Sequence, residues 1–159
     1  MKAVRVPMES LIEVILLQLK TGKMANLAVT GCSMLPMLRQ YADTVQLKPV
    51  EGALQPGDIA LYRRDNGRYI LHRVIQLTPE GYLFCGDNQA ELEPVHQDQL
   101  IALVTGYTKK GKSHKLNESG YSLYCFVWVR LFCIRKYYIR LRRWFGRLRS
   151  RFIRRKVNE

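Results

Sequence analysis

Residues 58–84 read DIALYRRDNGRYILHRVIQLTPEGYLF. Three apolar-rich runs, Asp58–Tyr62, Tyr69–Leu77 and Tyr82–Phe84, are separated by Asp65-Asn66-Gly67 and by Pro79-Glu80-Gly81. Both separators are turn-forming combinations, and the runs are rich in Ile, Val, Leu and Tyr, so the stretch predicts strands joined by tight turns. The pattern continues outward in both directions. Leu27–Thr30 and Thr44–Lys48 precede it and Leu100–Tyr107 follows, with breaks at Pro49, Gly52, Pro56-Gly57 and Gly86-Asp87-Asn88. Six short strands with frequent turns predict a compact, mainly β domain, either a curled sheet or a partly closed barrel.

The flanks differ from this core. Met8–Lys20 carries Leu11, Ile12, Ile15, Leu16 and Leu19 at helical spacing, and Gly22 follows as a stop, so an N-terminal helix is predicted. Its apolar run, Leu11–Leu19, contains Glu13 and is far short of the ~20 apolar residues that span a bilayer. Lys109–Gly120 (KKGKSHKLNESG) is polar and reads as a linker. Beyond it Tyr121–Ile134 is almost wholly apolar. Ile134, Tyr138, Leu141, Phe145, Leu148 and Phe152 then fall within about 80° of one another at 100° per residue, with arginines on the remaining faces. The expected organisation is a domain over 1–108, a linker over 109–120 and a separable basic amphipathic tail over 121–159.

Charge divides the same way. Up to Thr108 there are 10 Lys/Arg against 11 Asp/Glu, and from Lys109 onward 16 against 2. These give −1 and +14, which total the net +13 of the chain. A near-neutral body with a basic, apolar-striped helix predicts contact with an anionic membrane surface. The regular stripe of Phe, Leu and Ile favours lipid over nucleic acid, which needs no such stripe. Cys32, Cys85, Cys125 and Cys133 form no CxxC pair and no zinc spacing, so neither a metal site, a cofactor nor a disulfide framework is expected.

Four short boxes concern chemistry: Ser33-Met34-Leu35-Pro36, Pro56-Gly57-Asp58-Ile59, His72-Arg73-Val74 and Gly86-Asp87-Asn88. Each alone is weak. In this order and spacing they resemble the type I signal peptidases and related serine peptidases, over roughly Leu27–Tyr107. The HRV box is similar to that of the endoplasmic-reticulum and archaeal members, in which histidine replaces the lysine base of most bacterial ones. The resemblance implies the small β catalytic fold of signal peptidases and LexA-like proteins. It also implies a serine endopeptidase with Ser33 as nucleophile, His72 as general base and a leader peptide or preprotein as substrate.

The residue chemistry fits those roles. A serine hydroxyl needs a neighbouring base, and a neutral imidazole can take its proton and return it to the leaving amine. Asp87, in the GDN box, is the first candidate to orient the imidazole, with Glu91 and Glu93 in reserve. The Ser33 N–H is the expected oxyanion donor. Two departures stand out: Gly31 replaces a hydroxyl residue found in many relatives, and Cys32 replaces a glycine. In extended chain only one of Cys32 and Ser33 can face His72, and the match to the serine box selects Ser33.

Signal peptidases usually carry an N-terminal membrane anchor, which is not seen here, so the expected place is the cytoplasm, peripheral to the inner face of the membrane. Two rival readings use the same sequence. One is a catalytically degenerate binding module. The other is a LexA-like self-cleaving regulator, for which only one helix precedes Ser33. Oligomeric state is not readable.

Overall fold

The computed structural model describes residues 8–116 and 118–157. Helix α1 (Met8–Lys20) is followed by strands β1 (Ala25–Ala28), β2 (Thr44–Pro49), β3 (Ile59–Arg63), β4 (Tyr69–Thr78), β5 (Gly81–Cys85), β6 (Glu93–Val95), β7 (Leu100–Lys109) and β8 (Lys112–Lys115). Two helices close the chain, α2 (Ser119–Arg130) and α3 (Phe132–Val157). The strands form one antiparallel sheet in the order β1-β2-β7-β3-β4-β5-β6, with β8 paired to β7. The sheet does not close. The fold is mainly β, with one helix before the sheet and two after it.

Strand β3 explains why the sheet carries two cores. Ile59, Ala60, Leu61 and Tyr62 are all buried, and successive side chains leave on opposite faces. Ile59 and Leu61 join the core under α1, with Ile12, Ile15, Leu27, Val45, Leu47 and Val104. Ala60 and Tyr62 join the second core, with Leu54, Val74, Tyr82, Phe84 and Val95. Helix α1 contributes Ile12, Ile15 and Leu19, one face of a helix, which is why its periodicity is legible.

The segment predicted as a linker is structured. Lys112–Lys115 pairs with Gly106–Lys109 across a two-residue turn. Both turn residues have positive φ, Lys110 at 52° and Gly111 at 77°, the geometry that suits a right-twisted hairpin. The strand is made of Lys, Ser and His, so it carries no apolar alternation to announce itself.

The C-terminal segment is also more than an appendage. Strand β4 places Arg73, 0% exposed, in the body of the protein, where it forms a two-pronged ion pair with Asp87 (2.8 and 2.7 Å). Helix α2 covers this pair. Tyr124 Oη donates to Asp87 Oδ2 (3.0 Å), Trp128 Nε1 donates to Asp87 O (3.3 Å), and Arg73 Nη1 donates to Tyr121 Oη (2.8 Å). Helix α3 follows with Phe132, Arg135 and Ile139 buried, and Arg135 Nη1 donates to Asp87 O (2.8 Å). The charge and apolar pattern predict a separable tail. Its inner face instead roofs a buried ion pair, and stripping that roof would turn the pair toward water and remove Trp128, Phe132 and Ile139 from their packing.

Deleting residues after Gly120 is therefore expected to lower stability by several kcal/mol, since it removes the burial of Phe132 and Ile139, worth ~1.5–3 kcal/mol each, and opens the Arg73–Asp87 pair to water. Urea unfolding of the truncated and full chains measures this; an unchanged midpoint would restore the separable-tail reading.

Candidate active site

The turn that carries Ser33 follows β1. Met34, Met37 and Leu38 are buried and pin the turn to the core, and the peptide between Leu35 and Pro36 is cis. Cys32 is exposed and Ser33 half-buried. Ser33 faces a cleft of about 200 Å³ lined by Leu27–Gly31, Met34, Leu61 and Tyr69–Leu71. Cys32 is not part of that lining, so the two neighbours point to different sides.

The cleft lies between two strand edges. Among the described residues, strand β1 pairs only with β2. Residues Tyr69–Leu71 of β4 pair with β3 on one side, and pairing of β4 with β5 begins only at Arg73. Main-chain groups on both rims are thus open to an extended peptide, and Leu27, Val29, Leu61 and Leu71 give the floor an apolar character.

His72 is 2% exposed, and its imidazole lies against Gly86. A Cβ placed on Gly86 would lie 2.7 Å from Ser33 O and 3.1 Å from His72 Nε2. Only a residue without a side chain fits there, so Gly86 lets the Ser33 main chain and the His72 imidazole pack against the same point of the GDN loop. The GDN loop also grips the turn. Asn88 N donates to Ser33 O (2.7 Å), and Asn88 Nδ2 donates to Cys32 O (3.3 Å). Among the described residues no hydrogen bond joins Ser33 Oγ to His72 Nε2.

Asp87 does not stand behind His72. Its two oxygens are taken by Arg73 and Tyr124, and its carbonyl by Trp128 and Arg135. The reason is the pleat: His72 and Arg73 are neighbours on β4 and leave on opposite faces. Asp87 meets the arginine. The carboxylate on the His72 side is Glu93, the reserve candidate, through a hydroxyl. Tyr62 Oη lies 3.1 Å from His72 Nδ1 and donates to Glu93 Oε2 (2.8 Å), while His72 Nδ1 and Glu93 Oε2 are 3.9 Å apart. Arg64 clamps Glu93 through Nε to Oε1 and through Nη2 to Oε2 (2.6 Å). The other reserve candidate, Glu91, turns back on its own backbone, where its carboxylate accepts from Ala90 N (3.3 Å).

Protons in this chain of groups have one consistent arrangement. Burial alone would raise the Glu93 carboxyl, but hydrogen bonds from Arg64 and Tyr62 outweigh it and hold it below the ordinary carboxylate range. An ionised carboxylate only accepts, so Tyr62 must give its proton to Glu93. Burial first, then the bond to Glu93, raises the Tyr62 hydroxyl well above its ordinary value, so that proton stays in place. The Tyr62 oxygen then accepts from His72 Nδ1–H, which leaves Nε2 as a bare lone pair beside Gly86 and Ser33. That is the tautomer a general base requires. Burial, only partly opposed by Glu93, pushes His72 down to about 4.

No metal-binding cluster of His, Cys, Asp and Glu occurs among the described residues. No protein family, curated protein or solved structure gave a significant match to the chain.

Two measurements test the proton chain. Between pH about 4 and 6.5 the unfolded chain binds a proton at His72 that the folded chain refuses. The stability this contributes is complete above pH 6.5 and is lost as pH falls through about 4, so the unfolding midpoint should fall with acid across that window. An NMR titration of His72 centred near 6.5 would contradict the burial effect. Tyr62→Phe removes the Nδ1 acceptor, and the ¹⁵N spectrum of His72 should change from one tautomer to a mixture. An unchanged ¹⁵N pattern would show that Tyr62 does not set it.

Proposed function

We propose that this chain is a serine endopeptidase that cuts an extended segment of a leader peptide or preprotein. The observation that supports the proposal is that the Ser33 main chain and His72 Nε2 both lie against Gly86, with Ser33 lining an apolar cleft that has two open strand edges. A substrate strand laid in the cleft would pair with the rims and bring one carbonyl to Ser33.

In the acylation step Ser33 Oγ attacks the carbonyl carbon while its proton passes to His72 Nε2. The resulting imidazolium is balanced through Tyr62 by Glu93. The tetrahedral oxyanion takes the Ser33 N–H as donor. Collapse breaks the C–N bond, and the Nε2 proton goes to the leaving amine. Water, deprotonated by the same Nε2, then hydrolyses the Ser33 ester and restores the enzyme. Asp87 acts in this scheme as the partner of Arg73, holding the loop that carries Gly86 and Asn88.

The low affinity of His72 for protons sharpens the pH expectation. An unperturbed imidazole would put the acid limb of kcat/KM near ~6.5, whereas buried His72 should move it toward about 4.

The place of action proposed with this chemistry is the cytoplasmic face of a membrane, held peripherally. The described residues contain no helix long and apolar enough to cross a membrane. The arginines of 130–155 match the charge bias of cytoplasmic segments.

Ser33→Ala and His72→Ala are each expected to reduce cleavage of a peptide substrate by ~10³-fold or more, with circular dichroism unchanged. Cys32→Ala should keep activity. A serine-directed acylating inhibitor should modify Ser33 in a mapped digest. Acylation at Cys32 would overturn the serine assignment, and acylation nowhere, with no peptide cut, would leave a binding module in place of an enzyme.

A further inference from the structure

Helix α3 has three separate sides. At about 100° per residue, Phe132, Arg135, Ile139 and Arg142 fall in one sector of roughly 80°. Phe132, Arg135 and Ile139 are buried, Arg135 bonds to Gly86 O and Asp87 O, and Arg142 Nη2 donates to Asn88 Oδ1 (2.6 Å). That sector grips the catalytic body. Ile134, Tyr138, Leu141 and Phe145 occupy a second sector of about 60°, with Tyr137 and Trp144 along its border. These six are 49–66% exposed. Lys136 and Arg140 lie in the third sector. On α2, Leu123 (66% exposed) and Phe126 (61%) are bare as well, and Arg130 lies over the Phe126 ring.

A run of exposed aromatic and aliphatic side chains of this size on one helix pair is far from the scattered apolar exposure of an ordinary surface. Its borders are cationic: residues from Lys109 onward carry 16 Lys/Arg against 2 Asp/Glu. We infer that the outer face of α2 and α3 docks on an anionic lipid bilayer. The aromatic and aliphatic sector enters the interface, and Lys136, Arg140 and Arg130 meet the headgroups. This gives a surface to the membrane placement proposed above, and it stands independently of the Ser33 chemistry.

The docked orientation has a structural corollary. Tyr138 and Arg142 share a cavity of about 400 Å³ with Leu35, Pro36 and Asn88. A bilayer on the outer face of α3 therefore runs beside the nucleophile turn. Peptides would be cut close to the lipid surface, as segments emerging from or adsorbed on the membrane.

The test uses the full chain with three probes: phosphatidylcholine vesicles, vesicles of phosphatidylcholine with phosphatidylglycerol, and duplex DNA. The expected result is co-sedimentation with the phosphatidylglycerol vesicles alone, weakened but not abolished by salt, because the buried apolar groups give a salt-resistant part. Leu141→Glu with Phe145→Glu, both outside the catalytic side of the helix, should weaken that binding by about tenfold or more while melting behaviour is unchanged. Binding unaffected by the double substitution would keep the membrane placement and overturn the surface. No binding to either vesicle would overturn both. Tighter binding to DNA, or a dimer in sedimentation that the double substitution dissolves, would assign the face to nucleic acid or to a second copy instead. Peptide cleavage by the same variants reports separately on Ser33, so a failure there is not confused with a failure of docking.

Discussion

The ion pair between Arg73 and Asp87 is the contact on which the rest of the site depends. Both side chains are fully buried, and an arginine or carboxylate in that position survives only when its partner and its remaining hydrogen bonds are all supplied. Arg73 also donates to Gly57 O (2.8 Å), at the start of β3, and to Tyr121 on α2. Asp87 receives Tyr124 and, at its carbonyl, Trp128 and Arg135. One pair thus ties the β3–β4 hairpin, the GDN loop and both C-terminal helices together. Because His72 immediately precedes Arg73, and Gly86 and Asn88 flank Asp87, the positions of His72 and of the Ser33 turn are set by this ion pair. Breaking either partner would leave a buried charge alone, at a cost of ~3–5 kcal/mol, and would free the loop that positions Ser33.

The other side of β4 solves a different problem. An imidazole buried beside a bare carboxylate would be drawn toward its charged form. Tyr62 keeps Glu93 one hydroxyl away, so His72 has an orienting partner without a full counter-charge in contact. The result is an imidazole that is neutral at physiological pH, with Nδ1 held by Tyr62. Arg64 completes the device by keeping Glu93 ionised, which in turn forces the direction of the Tyr62 hydrogen bond.

Much of this is legible from residues alone, for identifiable reasons. Helix α1 coincides with the Met8–Lys20 prediction because one of its faces is buried, and strands β2 to β5 and β7 show themselves through apolar runs ended by turn residues. Strands β6 and β8 do not: the first is three residues with a proline, and the second is lysine, serine and histidine. The Ser33 main chain and the His72 imidazole both lie against the Gly86-Asp87-Asn88 loop. The assignment of Asp87 to His72 fails because a motif gives neighbours in sequence, while the pleat sends adjacent side chains to opposite faces. Tyr62 reads in sequence as one more core aromatic. The strand register is the signal that finds it: Ala60 lies opposite His72, so Tyr62 is the diagonal neighbour on the same face. In the tail, Arg135 and Arg142 read as solvated charges, whereas they are the contacts that seat the helix on the GDN loop.

The three-sided character of α3 also constrains what changes the chain can tolerate. A surface helix of arginines and aromatics would ordinarily accept the gain or loss of a residue, since nothing on it needs a particular azimuth. Here a single insertion between Arg130 and Arg135 would rotate everything after it by about 100°. Arg142 would swing away from Asn88, the bare apolar stripe would turn toward the body, and cationic residues would take its place outside. The connection at Leu131, one residue between two helices, thus acts as an angular gauge, and its length matters more than its composition.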